Sequence, residues 1–370
     1  MPAAVLGQRA LNRALLARQG LLTRSRTAPL DMVEQLVGLQ AQVPWNPYLA
    51  LWSRIEAFDP MALSEAIAGR RAVRTQLMRS TIHLVSARDC LAIHPLTQPL
   101  LARVFRTAFG RAVAGIDVDA VIAAGRAAVA EQPRSRAELR PGLGERWPDT
   151  DTNALAQAVT FNLPLVQVPP RGLWRQPGQA RWALAEQWLD APLDPEPSAD
   201  ALVLRYLAAF GPATTGDIRT WSGITGLRTV VERLRAELRT FSDEQGRELL
   251  DVADGELPDP ETPAPPRFLP EYDNLVLSHE DRSRVLAGHG PGDPYPVGTL
   301  KGTLLADGFY RAFWTVAETR GAATLEINRF TPLPGDPPGT VDEIAEEGER
   351  MLAFLVPDAG ERRVVFTPGS

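Results

Sequence analysis

Val73-Arg74-Thr75-Gln76-Leu77-Met78-Arg79-Ser80-Thr81-Ile82-His83-Leu84-Val85 is the stretch on which the reading of the fold turns. Val73, Thr75, Thr81, Ile82 and Val85 are β-branched, which favours extended chain, and Met78-Arg79-Ser80 falls where a turn between two strands is expected. Upstream the signals are helical. Residues 7–20 read as a helix with Leu11 and Leu15 on one face. A second begins after Pro29, with Asp31 expected as its N-cap and Val33, Leu36, Val37 and Leu39 as its apolar stripe. Asn46-Pro47 reads as an N-cap with proline at the first helical position, opening a third helix through Leu51 and Ile55. Asp59-Pro60 repeats that signal for a fourth. Several helices followed by a hairpin is the order of a winged helix-turn-helix unit.

The order recurs twice. Residues 118–131 form an alanine-rich helix and 135–143 a shorter one. Asp151 or Thr152 caps another running towards Leu163, then Leu165-Val166-Gln167-Val168 reads as strand and Pro169 to Gly172 as the turn of a wing. A third copy starts near Ser198. Its helix runs to Phe210, breaks at Gly211-Pro212 and resumes from Thr214 to Trp221. A longer helix with Leu227, Val230, Val231, Leu234 and Leu238 on one face leads to a hairpin from Phe241 to Val252. Five prolines between Leu257 and Pro266 then mark a boundary. Beyond it the apolar period becomes two. Leu300 to Val316 reads as a hairpin turning at Asp307-Gly308, Thr324 to Phe330 as a strand, Val341 to Leu355 as a helix and Arg363 to Thr367 as a last strand. The expected fold is α+β, with winged-helix units at 1–115, 116–196 and 197–262 and a β-rich region at 263–370.

The 370 residues are 44% hydrophobic and 23% charged, an ordinary globular composition, without a secretory signal or an apolar run long enough to span a membrane. A cytoplasmic protein is expected. One cysteine, Cys90, excludes a disulfide framework, and His83, His94, His279 and His289 are not at metal-ligand spacing, so no metal or other cofactor is expected. The net charge of −6 is uneven: +8 over residues 1–115, +1 over 116–185, −9 over 186–265 and −6 over 266–370. A basic first third on an acidic chain is a candidate anion-binding surface. Lysine chemistry is confined to Lys301, since the other 38 basic residues are arginine.

Winged-helix units commonly bind duplex DNA, which makes a transcriptional regulator without catalysis the alternative reading. P-loop, nucleophile-elbow, zincin and dinucleotide fingerprints are missing. Ser80 and His83 have no acid placed beside them and read as wing residues. In Gly38-Leu39-Gln40-Ala41-Gln42-Val43-Pro44-Trp45-Asn46, proline drives Val43 out of helical geometry, so the preceding helix is expected to end close to Gln42. Positions i and i+2 share a face only in extended chain, so the two glutamines converge only if the backbone straightens here. On spacing alone they are exposed polar residues closing a helix.

Several segments together resemble the AlkZ-like DNA glycosylases over nearly the whole chain. They are Gly38-Leu39-Gln40-Ala41-Gln42, Met78 to Leu84, Gly211-Pro212-Ala213-Thr214 with Asp217 and Trp221, and Phe268-Leu269-Pro270-Glu271-Tyr272-Asp273-Asn274-Leu275 followed by Asp281-Arg282. The resemblance implies three tandem winged helices forming a C-shaped, basic concave surface, a β-rich C-terminal part, and a catalytic Gln-x-Gln motif on Gln40 and Gln42. The Gln–Gln version is similar to the branch that removes azinomycin-type crosslinks in antibiotic producers; a Gln–Asp branch acts on alkyl-purines more broadly. It implies a double-stranded DNA substrate carrying alkylated purines, with no membrane partner and a monomeric enzyme.

Alkylation at purine N7 or N3 leaves a cationic base that departs without a strong acid. What remains is to stabilise an oxocarbenium sugar and place a water at C1′, which amides do without a shifted pKa. Gln42 is expected to position the water and Gln40 to contact water or sugar. Arg24, Arg26, Arg70, Arg71, Arg74 and Arg79 are the expected phosphate contacts. Trp45 reads as core more readily than as a groove wedge. A glycosylase-lyase would need the amine of Lys301 or of Pro2 exposed by loss of Met1; the family resemblance favours water.

Overall fold

The structure is a computed structural model that describes residues 4–286, 301–319, 321–330 and 338–368. Met1, Pro2, His289 and Leu300, which carry expectations above, lie outside the described residues.

The chain begins with strand β1 (Ala4–Leu6) and helix α1 (Gln8–Arg18). Helix α2 (Pro29–Gln35) has Ala28 at its cap position; Asp31, expected there, sits in the first turn, where a carboxylate still faces the positive end of the helix. The stripe expected to reach Leu39 is cut short. Val37 and Gly38 adopt left-handed backbone (φ 53° and 93°) and turn the chain into strand β2 (Leu39–Gln40). A Cβ at Gly38 would stand 2.7 Å from Val85 Cγ1, so the position needs glycine for space as well as for φ. Helix α3 (Asn46–Trp52) has Trp45 at its cap, and Asn46, expected as the cap, donates its side-chain amide to the Glu271 carbonyl at 2.9 Å. Asp59 does cap α4 (Pro60–Ala68), accepting from Met61 N–H at 2.8 Å.

The opening stretch forms the expected antiparallel pair, β3 (Ala72–Gln76) and β4 (Ile82–Ser86). Helix α5 (Ala87–Phe109) has no counterpart in the sequence reading, because Pro95 and Pro99 inside it are helix-breaking signals. Burial of Cys90, Ile93, Leu100, Leu101 and Phe105 overrides them. Then follow α6 (Val118–Glu131), capped by Asp117; α7 (Arg136–Arg146), with a Ser135–Glu138 capping box; and α8 (Thr152–Asn162), capped by Asp151. Strands β5 (Leu165–Gln167) and β6 (Trp182–Leu184) and helix α9 (Ala185–Leu189) come next. Helices α10 (Ala199–Phe210) and α11 (Thr215–Ser222) start at Ser198 and Thr214. Helix α12 (Leu227–Leu234) is shorter than its stripe, since a 3-10 turn at 235–237 ends it before Leu238; β7 (Arg239–Asp243) and β8 (Glu248–Asp251) make the third hairpin.

The C-terminal region contains β9 (Arg267–Leu269), α13 (Asn274–Leu277), β10 (Gly302–Ala306), β11 (Phe309–Thr319), β12 (Ala322–Phe330), α14 (Thr340–Leu355) and β13 (Glu361–Pro368). Its sheet runs β13-β12-β11-β10-β9. Leu304, Ala312, Leu325 and Ile327 on this sheet bury Ile344, Met351 and Leu352 of α14. The fold is α+β.

Two pairings position the site. The first and second hairpins share one five-stranded sheet, β2-β4-β3-β5-β6, with Arg74 opposite Gln167 and Thr75 opposite Val166. The expected boundary at 115/116 is therefore crossed by continuous β-structure. The N-terminal segment reaches the third hairpin: β1 pairs in parallel with β7, Leu15 and Leu16 of α1 join the core of Leu207, Phe210 and Trp221, and Arg18 forms a buried pair with Asp251 at 2.6 Å.

Candidate active site

The segment carrying the two glutamines is straightened by β4. Leu39 lies opposite Leu84 and Gln40 opposite His83, and Ala41 N–H donates to the Ile82 carbonyl at 2.7 Å. The preceding helix ends at Gln35, not near Gln42 as the spacing suggests. The run Pro270 to Leu275 acquires a physical role here. Asn274 donates to the Gly38 carbonyl at 2.7 Å, and Asp273 pairs with Arg54 through two bonds of 2.6 and 2.9 Å, both side chains fully buried. The C-terminal region thus clamps the turn that leads into β2.

Both glutamine amides meet the β3–β4 turn. Arg79 Nη2 donates to Gln40 Oε1 at 2.9 Å, and Ile82 N–H donates to Gln42 Oε1 at 3.3 Å. Both partners are donors only, so each amide turns its oxygen to the protein, and each oxygen keeps a second lone pair. Neither amide NH2 has a partner among the described residues. Gln40 is buried, at 8% exposure, and Gln42 is exposed.

The charged groups around them are held from several sides. Arg79, partly buried, also donates to the Trp221 carbonyl of α11 at 2.5 Å; burial, with Arg282 nearby, lowers its pKa to about 10. Arg74 is buried between the Ala41 carbonyl and Gln167 Oε1, each at 2.6 Å, and burial, with Arg171 nearby, lowers it to about 9. Both remain cations at neutral pH. His83 is lowered as well, far enough to lose its charge. Burial, helped by Arg79, pushes it down to about 3, so it is neutral at pH 7 and supplies no acid.

An open cleft of about 490 Å³ adjoins Gln42. It is walled by Gln76, Ser80 and Ile82 of the first hairpin, Arg136, Gln157 and Phe161 of the second helical group, and Gln167, Arg171, Gln179 and Trp182. Among the described residues, Arg74, Arg136 and Arg171 are its charged lining residues, and no Asp or Glu lines it. Such a wall suits phosphate and sugar oxygens.

Of the six arginines expected at phosphates, Arg74 and Arg79 are brought to the motif and turned inward. Arg26, Arg70 and Arg71 stand on the surface, Arg26 beside Glu56 and Arg70 over the Trp188 ring at 4.1 Å. Arg24 is tied to the Trp52 carbonyl and to Glu347 of α14. Arg136 and Arg171 escaped the sequence reading; they enter the cleft from α7 and from the segment between β5 and β6. Trp45, expected in the core, is 40% exposed. Among the described residues no three His, Cys, Asp or Glu side chains gather to hold a metal, and no helix is long and apolar enough to cross a membrane.

The straightened Gln-x-Gln segment beside an arginine-walled cleft is the candidate site, and family comparison gives the class. The AlkZ-like DNA glycosylase family matches residues 33–354, and the chain belongs to it. Among solved structures it is similar to the DNA glycosylase AlkZ of Streptomyces sahachiroi, with a TM-score of 0.71 at 21% identity over 99% of this chain and 100% of that one. That likeness speaks for the fold. Among curated protein sequences none matches this chain.

Proposed function

We propose that this DNA glycosylase is monofunctional and hydrolyses the N-glycosidic bond of cationic N7-alkylated purines in duplex DNA, including guanine held in azinomycin-type interstrand crosslinks. The observation that carries the reading is the pair of neutral amides without an acid beside them among the described residues: His83 is neutral, and the described lining of the cleft holds no carboxyl group. Such a site cannot protonate a neutral base. It serves a base that alkylation has already made a good leaving group.

In this mechanism the C1′–N9 bond breaks with its electron pair passing to the cationic base, which leaves neutral. Gln42, exposed at the cleft, orients the attacking water, whose proton passes to solvent. Gln40, fixed by Arg79, offers the remaining lone pair of its Oε1 to the developing oxocarbenium sugar or to that water. The exposed Arg26, Arg70 and Arg71 contact phosphates, with Arg74 and Arg79 holding the motif from within. The organisation we propose keeps three winged-helix units, 1–115, 116–196 and 197–262, with the first two joined through their shared sheet, and the β-rich region 263–370.

The test is base release from duplex DNA carrying N7-methylguanine, followed by borohydride. The expected products are free base and an intact abasic site that breaks only with alkali or heat, with no protein–DNA adduct. A trapped adduct lost in Lys301→Ala, or on blocking the N-terminal amine, would replace water by an amine as nucleophile.

A further inference from the structure

Gln167 of β5 stands opposite Arg74 in the sheet shared by the first two hairpins, and it repeats the arrangement found at Gln40. One arginine sets its amide. Arg74 Nη1 donates to Gln167 Oε1, and Nη2 donates to the carbonyl of Ala41, the residue between the two motif glutamines, each at 2.6 Å. Arginine only donates, so the Gln167 oxygen faces Arg74 and its NH2 is turned away. Gln167 is buried, at 6% exposure, yet that NH2 has no partner among the described residues and is not sealed from the cleft the residue lines.

Two half-buried arginines of the same cleft also keep donors in reserve. Arg136 donates Nε to Thr160 Oγ1 at 3.2 Å, with its guanidinium 5.8 Å from the Trp182 ring centre, and its two Nη groups take no partner among the described residues. Arg171 donates Nη1 to the Gly178 carbonyl at 2.9 Å and leaves Nη2 without one. Neither pairs with an acid among those residues. The reserve is thus made of donors alone, two of them cationic. A sugar hydroxyl both gives and takes hydrogen bonds and carries no charge. A phosphodiester takes only, through two non-bridging oxygens that share one negative charge, and it complements this wall.

We propose that Gln167, Arg136 and Arg171 form a subsite for one DNA phosphodiester flanking the attacked nucleotide. The proposal rests on the glycosylase reading and adds how the strand is held: the first hairpin brings the motif, and the segments around the second bring the phosphate contacts. Arg74 touches both Ala41 and Gln167, so a single guanidinium sets the spacing between the motif and the phosphate donor.

The experiment measures binding of the full-length protein to a duplex carrying a tetrahydrofuran abasic analogue, with each phosphodiester near it replaced singly by a neutral methylphosphonate. Gln167→Glu keeps an oxygen on Arg74 and exchanges the NH2 for a second anionic oxygen. It should retain the Tm and bind the all-phosphate duplex about 10-fold or more weakly, the scale of a hydrogen bond to a charged group. Arg136→Met and Arg171→Met should each weaken binding and reduce the salt slope by ~0.9. One methylphosphonate position should weaken the parent protein by a comparable factor, and there alone the additional losses in Gln167→Glu and Arg171→Met should vanish. Unchanged affinity in Gln167→Glu, losses equal on every methylphosphonate duplex, or variants that point to different positions would overturn the subsite. Release of N7-methylguanine without such coupling defeats the subsite alone. Coupling without base release leaves the subsite standing and defeats the glycosylase reading.

Discussion

Arg79→Met keeps the aliphatic stem of the side chain and removes its donors. Two charge-assisted bonds are lost, one to Gln40 Oε1 at 2.9 Å and one to the Trp221 carbonyl at 2.5 Å, and the first is the one that orients the motif. A hydrogen bond from a charged group is worth about 1.5–3 kcal/mol. If the orientation of the Gln40 amide matters only in the transition state, the whole of that reaches the barrier, and excision slows by about 10- to 100-fold. The assay is single-turnover excision at saturating protein, run beside DNA affinity as a function of salt. Arg79→Met should lower the rate and leave the salt slope unchanged, because its guanidinium faces Gln40 and not solvent. Arg70→Met and Arg71→Met should each reduce the slope by ~0.9 and keep the rate. A full rate in Arg79→Met together with a slope reduced by ~0.9 would make Arg79 a phosphate contact and refute the positioning role.

Other consequences are equally accessible. Gln42→Ala should cost roughly 10²-fold or more in excision with DNA affinity retained, whereas Gln42→Asp should retain activity, measured on the same N7-methylguanine duplex. Gly38→Ala puts a Cβ 2.7 Å from Val85 Cγ1 at a φ of 93° and should destabilise the fold by about 1–3 kcal/mol, read as a lowered Tm; an unchanged Tm would contradict the crowding described. Burial depresses the folded pKa of His83 to about 3 and of His94 to about 4, below the ordinary 6.5. The unfolded chain then binds more protons below that value, so stability is complete above pH ~6.5 and falls on acidification by up to about 1.4 kcal/mol per pH unit for each histidine. The urea midpoint should drop between pH 7 and pH 5, and a constant midpoint would mean these histidines are not held neutral.

Local signals in the sequence foretold local structure. The caps at Asp59 and Asp151 and the helix starts at Ser198 and Thr214 stand where their residue types place them, because a cap depends on four neighbouring residues. The hairpin around Met78-Arg79-Ser80 and the Asp307-Gly308 turn were legible for the same reason. What escaped depends on partners far along the chain. Strand β2 is two residues long and exists through pairing with β4 some forty residues later, so no periodicity announces it. Helix α5 survives two internal prolines through its buried face. The amphipathic pattern of α1 shows that it buries one side, but not that the partner is α10. Gln40 and Gln42 were legible as a motif through family resemblance; that their oxygens are taken by Arg79 and Ile82 was not. Nor does a sequence separate a buried arginine such as Arg74 from a surface one such as Arg71, and the arginines of the cleft wall come from two units that share a sheet.

The central claim is that two neutral amides suffice because alkylation makes the base cationic before it departs. Single-turnover excision in one duplex context, comparing N7-methylguanine with uracil for the parent protein and for Gln40→Ala/Gln42→Ala, tests it most directly. The account predicts release of N7-methylguanine, no release of uracil, and loss of the first in the double variant. Comparable rates on the two lesions, or near-normal excision by the double variant, would contradict it.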